Sequence, residues 1–189
     1  MRYSLEHKAG ARTRLIEASG PQVKKNGFAT TGVDGLMAAA GQTSGAFYAH
    51  FGSKSELLDA IVENELQRSA NLFASQSIDN AMAAIEGYLS LAHIDHPESG
   101  CAVPALATEV ARAGVSTQLV FENGMIHLRA QLEQLGVSEG QAWSILAQLV
   151  GAVLIARALH SPAARKALLE GAHQHIKRLL TDSLNHTAA

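Results

Sequence analysis

Between Thr31 and Lys54 the chain sets out a group of hydrogen-bond donors with little bulk among them. Tyr48, His50 and Lys54 carry a phenol, an imidazole and an ammonium, each suited to a phosphate oxygen. Such contacts fix register on a nucleic acid without reading its sequence. Gln42, Thr43, Ser44, Gly45 and Ala46 come just before them. Small side chains there let the start of a helix approach base edges, where the Ser44 hydroxyl can donate or accept and Ala46 can touch a thymine methyl. Lys54 stands where a helix is predicted to begin, so backbone amides and the macrodipole also favour a phosphate. Taken singly, Tyr48 is equally well a half-buried core ring and His50 an ordinary surface histidine. Their joint spacing points to double-stranded DNA.

The elements that must hold these residues are short helices. Thr31 and Asp34 have the spacing of a capping box. Val33, Leu36, Met37 and Ala40 form one apolar stripe, and Gly41 supplies a left-handed stop. Thr43 is predicted to cap a second helix that exposes Ser44, Gly45, Tyr48 and Ala49 and buries Phe47 and Phe51. Ser53 and Glu56 form a second capping box, starting a helix through Leu57, Leu58, Ile61, Val62 and Leu66. The pattern is a helix-turn-helix.

The stretch GFATTGVDGLMAAAGQTSGAFYAHFGSKSELL, from Gly27, resembles the N-terminal DNA-binding domain of the TetR family of transcriptional regulators. The resemblance is specific over residues 12–66 and general beyond them. It implies phosphate contacts at Thr31, Thr43, Tyr48, His50 and Lys54. It places Gln42, Ser44, Gly45 and Ala46 at or in the major groove. Two positions depart from the family pattern. Many members carry lysine where this chain has Ser44, so a strong contact is missing. Gly20-Pro21 falls inside the first helix, and an interior proline deletes a hydrogen bond at a cost of roughly 3 kcal/mol. A kinked or partly broken helix is therefore predicted between Arg14 and Asn26.

Net charge alone, −2 over 189 residues, argues against a nucleic-acid partner. Its distribution argues the other way. Residues 1–54 hold seven Lys/Arg against three Asp/Glu, a net +4, and residues 55–189 hold eight against fourteen, a net −6. A basic head on an acidic body steers toward phosphate. The predicted organisation is a DNA-binding domain at 1–54, with a flexible basic arm at 1–11, and a helical effector-binding and dimerisation domain at 55–189. A single cysteine excludes an internal disulfide framework and suits a reducing cytoplasm. No signal peptide is evident, and no stretch reads as long and clean enough to span a membrane.

Strand signals are nearly absent, so the fold class is all-α with about nine helices. The body is predicted to form helices over about 53–75, 77–93, 103–112, 116–135, 141–160 and 163–184. The last two are the expected dimer-forming pair, as the family resemblance implies for a four-helix interface. Gly151, Ala152 and Ala156 permit close approach there, and Leu149, Val153 and Leu168 supply area. One small head buries too little surface to bind a site specifically, so a homodimer on a palindrome is expected. The resemblance further implies repression relieved by a small-molecule effector. Met82, Leu89, His93, Cys101, Phe121, Met125, Trp143 and Leu146 are candidates for its pocket, suited to an uncharged ligand, although such residues at helical spacing are more often plain core.

HIDHPESGC, from His93, gathers two histidines, two carboxylates and Cys101. These types ligate zinc or nickel, but Pro97 and Gly100 leave the spacing loose, and no metal or other cofactor is assigned. Thiol sensing at Cys101, with His96 lowering the thiol pKa, is an alternative; burial among apolar neighbours would make the thiol inert. Two other classes compete. An enzyme is disfavoured because no GxSxG, HExxH, phosphate loop or paired carboxylates stand out. A helical interaction protein that keeps the head as a vestige is the third.

Overall fold

The computed structural model describes residues 5–74 and 77–187. Among the described residues every regular element is a helix, in the order α1 (Leu5–Asn26), α2 (Val33–Ala39), a 3-10 segment (Ser44–Ala49), α3 (Lys54–Phe73), α4 (Ile78–Tyr88) and α5 (Leu91–Asp95). A 3-10 turn (Pro97–Ser99) then leads to α6 (Val103–Val110), α7 (Val115–Glu133), α8 (Glu139–Ala158) and α9 (Pro162–Thr187). The all-α expectation holds.

The chain packs as two compact units, each discontinuous in sequence. One takes the chain up to Leu66 together with Pro97–Glu122; the other takes Gln67–His96 together with the chain from Asn123. These packing units do not follow a cut at Lys54. In the first unit α1 buries Ala11, Leu15, Ile16, Val23 and the intervening Ser19 and Gly20. Phe28, Leu36, Met37, Phe47, Phe51, Leu57, Ile61 and the α6 residues Val103, Leu106 and Val110 complete this core. In the second unit α8 packs on α9 and α5, burying Ile145, Leu149, Val153 and Ala156 with Leu169, Ile176 and Leu180 of α9.

Several helix starts sit where the hydroxyl spacing puts them. Ser53 Oγ accepts from Glu56 N at 3.1 Å, Ser138 and Gln141 form a full capping box, and Ser161 Oγ accepts from Ala164 N at 3.3 Å ahead of Pro162. The predicted single helix over 77–93 is instead two. Ser90 donates to Gly87 O at 2.7 Å and accepts from His93 N at 3.2 Å, closing α4 and starting α5. Arg157, an interruption in an apolar run by sequence, donates to Ile94 O (3.3 Å) and His93 O (3.1 Å) at the end of α5. Those are carbonyls that a helix terminus leaves without partners.

Three expectations are corrected. Helix α1 begins at Leu5, so residues 5–11 are helical rather than a flexible arm, and residues 1–4 lie outside the described residues. The apolar stripe of α1 reaches back through Ala11, and Arg12 lies 4.6 Å above the Phe51 ring, which commits this end to packing. Second, α1 is not partly broken but runs as one continuous helix through Pro21. Buried neighbours on both sides of it outweigh one missing backbone bond, since tertiary packing overrides intrinsic propensity. Third, the 20 residues of α8 reach the length and mean hydropathy, 1.3, of a membrane span. One face of the helix, with Ile145, Leu149, Val153 and Ala156, is buried, and α8 packs on α5 and α9; 39% of the apolar window is buried in all.

Gly20 has a packing role in α1. A Cβ there would collide with Glu65 Oε1 and come within 3.1 Å of Glu65 Cδ. Alanine is the better helix former by roughly 0.5–1 kcal/mol, yet Glu65 is held beside Gly20 by a buried ion pair with Lys24 at 2.8 Å. Gly20→Ala should therefore melt below the wild type in a circular-dichroism scan, and an unchanged or higher Tm would refute the constraint.

Candidate nucleic-acid interface

The predicted Thr31–Asp34 capping box is not formed. The N-cap of α2 is Gly32, without a side-chain bond. Thr31 Oγ1 turns back to donate to Gly27 O at 2.7 Å, and the Asp34 carboxylate accepts from the Ser44 hydroxyl. Asp34 thus ties α2 to the next segment. Gly41 takes φ +67°, and Gln42 N bonds Met37 O at 2.9 Å, giving the left-handed stop that was expected.

The second element is a six-residue 3-10 helix, Ser44–Ala49, rather than an α-helix, and Thr43 makes no side-chain cap. Ser-Gly-Ala-Phe-Tyr-Ala is too short and too poor in helix formers to drive a longer one, and short 3-10 pieces are common in such connections. With three residues per turn, Gly45 and Tyr48 lie along one edge. The predicted faces are otherwise as observed. Phe47 and Phe51 are buried; Ser44, Gly45 and Ala49 are exposed, and Tyr48 is 78% exposed. A Cβ at Gly45 would meet nothing within 4 Å, so no contact inside the chain requires glycine there.

The other candidate residues divide by environment. Thr43 is exposed, whereas Thr31, Gln42, Ala46, His50 and Lys54 are half-buried. Lys54 Nζ donates to Phe28 O at 3.1 Å and lies 4.7 Å from the Phe28 ring centroid, so its ammonium is turned onto the protein. At the same helix start Glu56 Oε2 accepts from Gly52 N at 2.7 Å, with Arg12 3.7 Å away. A carboxylate therefore already complements the α3 dipole.

Two groups of this unit carry no signal in the sequence. Lys24 and Glu65 form a buried ion pair at 2.8 Å, with side chains only 1% and 2% exposed, and Lys24 Nζ also donates to Gly100 O at 2.9 Å. Glu109 accepts from Phe28 N at 2.9 Å and Ala29 N at 2.8 Å. These partners lie some 40 to 80 positions apart, beyond the reach of any local pattern.

The effector candidates fall in both units: Cys101 and Phe121 in the first, Met82, Leu89, His93, Met125, Trp143 and Leu146 in the second. Leu89 lines a cavity of about 220 Å³ with Glu86, Lys166, Leu169 and His173. Trp143 is an exposed residue of α8 with the Arg129 guanidinium 5.9 Å from its ring. Cys101 is 8% exposed, and its Sγ accepts from Val103 N at 3.5 Å.

On α8 and α9, Gly151, Ala152 and Leu168 line an open groove with Gln148, Ile155, Ala167, Gly171 and Ala172. Leu149, Val153 and Ala156 do not face outward as expected. They are buried within the unit, because i, i+4 and i+7 share the inner face of α8. Leu154 and Ile155, on the opposite side, are the large exposed residues that helical periodicity does not single out.

Residues 15–61 match the family model described as bacterial regulatory proteins, tetR family. A comparison with curated proteins returned no match. Among solved structures the chain is similar to E. coli NemR in its reduced form (22% identity, 90% of this chain and 97% of that one, TM-score 0.76). It is also similar to a TetR transcriptional regulator from Chloroflexus aurantiacus (21% identity, 94% and 97% covered, TM-score 0.74). A TetR transcriptional regulator from Legionella pneumophila is a further neighbour (18% identity, 87% and 94% covered, TM-score 0.69). Residues 15–61 are thus a tetR-family domain, and the chain as a whole has the all-α fold of TetR-family DNA-binding transcriptional regulators.

Proposed function

We propose that this protein is a cytoplasmic homodimeric repressor that occupies a palindromic operator and leaves it when a small molecule binds. The observation that carries the DNA reading is the 3-10 segment. It buries Phe47 alone and offers Tyr48 and the small residues Ser44 and Gly45 to solvent. In this reading Ser44, Gly45 and Ala46 approach base edges with Gln42 beside them, and Thr31, Thr43, Tyr48 and His50 hold phosphates. Lys54 contributes by leaving Phe28 or by its backbone amide at the start of α3. Residues 1–54 serve DNA; residues 55–189 serve the effector and the partner subunit.

The α8/α9 groove supports dimerisation. Gly151 and Gly171 admit a close neighbour, since a Cβ at either would meet nothing within 4 Å, and Ile155 beside them is 50% exposed. Repression is favoured over activation because occupancy alone blocks a promoter. Thiol sensing at Cys101 has weaker support, since the thiol is buried.

Footprinting on DNA flanking its own gene tests the reading. The expected result is a saturable complex protecting two half-sites about one helical turn apart, lost in an Ile155→Asp variant that sediments as a monomer. Absence of saturable binding at low salt would defeat the DNA reading. An Ile155→Asp chain that stays dimeric would defeat the assignment of the α8/α9 groove.

A further inference from the structure

The turn between α1 and α2 is held from two sides by opposite charges. Glu109, in α6, takes the amides of Phe28 and Ala29, one on each carboxylate oxygen, at 2.9 and 2.8 Å. Lys54, at the start of α3, takes the Phe28 carbonyl at 3.1 Å and covers the Phe28 ring. Phe28 is thereby fixed through its N–H, its C=O and its side chain, which is buried. The approach of Glu109 demands glycine at 27. That residue has φ +81°, and a Cβ there would lie 2.7 Å from Glu109 Oε1.

Beyond this turn lies the segment assigned to DNA. Thr31 Oγ1 bonds Gly27 O, Gly32 caps α2, α2 packs on the 3-10 segment, and Asp34 accepts from Ser44. A rotation at Phe28–Ala29 is therefore passed to Ser44, Gly45 and Tyr48 through a short chain of fixed bonds. The acceptor that prevents it comes from α6, some eighty residues away in sequence.

We propose that Glu109 is a positioning residue for DNA binding: its carboxylate sets the α1–α2 turn and so orients the 3-10 segment toward the duplex. The inference rests on the DNA-binding reading above and adds a mechanism to it. Any rearrangement that withdraws α6 removes two charge-assisted bonds from the head at once. DNA affinity then falls without any change in the residues that touch DNA.

The test compares wild type with Glu109→Ala by fluorescence anisotropy on the flanking DNA, over a series of salt concentrations, at a temperature where circular dichroism shows both chains fully folded. A mispositioned head makes fewer phosphate contacts, and each one lost lowers the slope of log K against log salt by about 0.9. The expected result is at least a tenfold loss of affinity with a slope shallower by about one to two contacts. Wild-type affinity and slope in Glu109→Ala would overturn the proposal, as would weaker binding at an unchanged slope. Should Glu109→Ala fail to fold, Glu109→Gln carries the comparison, because its single carbonyl oxygen can hold only one of the two amides well. A wild-type chain without a saturable complex would defeat the DNA-binding reading itself, and this inference with it.

Discussion

Lys24→Ala is expected to lower folding stability by about 3–5 kcal/mol, the usual consequence of removing one member of a buried ion pair. The Glu65 carboxylate, 2% exposed, would keep its burial and lose the ammonium 2.8 Å away, and Gly100 O would lose a donor at the same time. For a chain of this length the change corresponds to a fall in Tm of about 6–20 °C, at roughly 2–4 °C per kcal/mol. The double variant Lys24→Met, Glu65→Leu should recover most of the loss, because it removes both charges and keeps apolar volume. Thermal melts of the three proteins decide the matter. A loss under about 1 kcal/mol in Lys24→Ala would show that the pair is better solvated than its burial implies.

A loss of similar size is expected from Phe47→Ala, and with a different functional consequence. Truncating a buried phenylalanine costs about 3–5 kcal/mol. Phe47 is 1% exposed, with its ring 5.9 Å from Phe51 in a stacked pair and 5.1 Å from Tyr48 edge-on. It is also the sole buried side chain of the 3-10 segment. Six residues of weak helical propensity are thus anchored in the core by one side chain, with the Asp34–Ser44 bond tying them to α2. Phe47→Ala should abolish DNA binding well below its melting temperature, whereas Tyr48→Ala should leave the melt within about 0.5 kcal/mol of wild type, as for an ordinary surface change, while weakening the complex. Chemical denaturation and gel-shift titration of both variants separate the roles. Intact DNA binding in folded Phe47→Ala would refute the single-anchor view.

What the sequence made legible, and what it hid, divides by range of interaction. Ser53 marks a helix start correctly because a hydroxyl and an amide three residues on settle the matter between themselves, and Ser138 and Ser161 cap α8 and α9 by the same local geometry. Gly41 is right for the same reason, being a property of one residue's φ. Thr31 and Asp34 have capping-box spacing but find competitors: Gly27 O takes the hydroxyl and Ser44 takes the carboxylate. Pro21 misleads because its cost is local while the burial that outweighs it comes from elsewhere in the fold. The α8 positions show how weak periodicity becomes in a helix that is apolar almost all round. Its uncharged polar side chains Gln141, Ser144 and Gln148 share one face, and Ile155 lies on that face while Leu149 points away from it. Lys24 and Glu109 gave no signal at all, since an isolated lysine or glutamate in a helix ordinarily faces water.

The discontinuous first unit bears on how such proteins can be rearranged genetically. The proposed reading head lies in the segment up to Leu66, yet part of its core, Val103, Leu106 and Val110, and the acceptor for its first turn, Glu109, come much later in the sequence. An exchange of the first 66 residues with a distant homologue would unite a head with an α6 selected alongside another one. On the proposed reading, specificity can therefore drift by substitution at the base-edge positions Ser44 or Ala46 more readily than it can be transplanted as a cassette. A successful graft would have to carry Pro97–Glu122 along with the N-terminal segment.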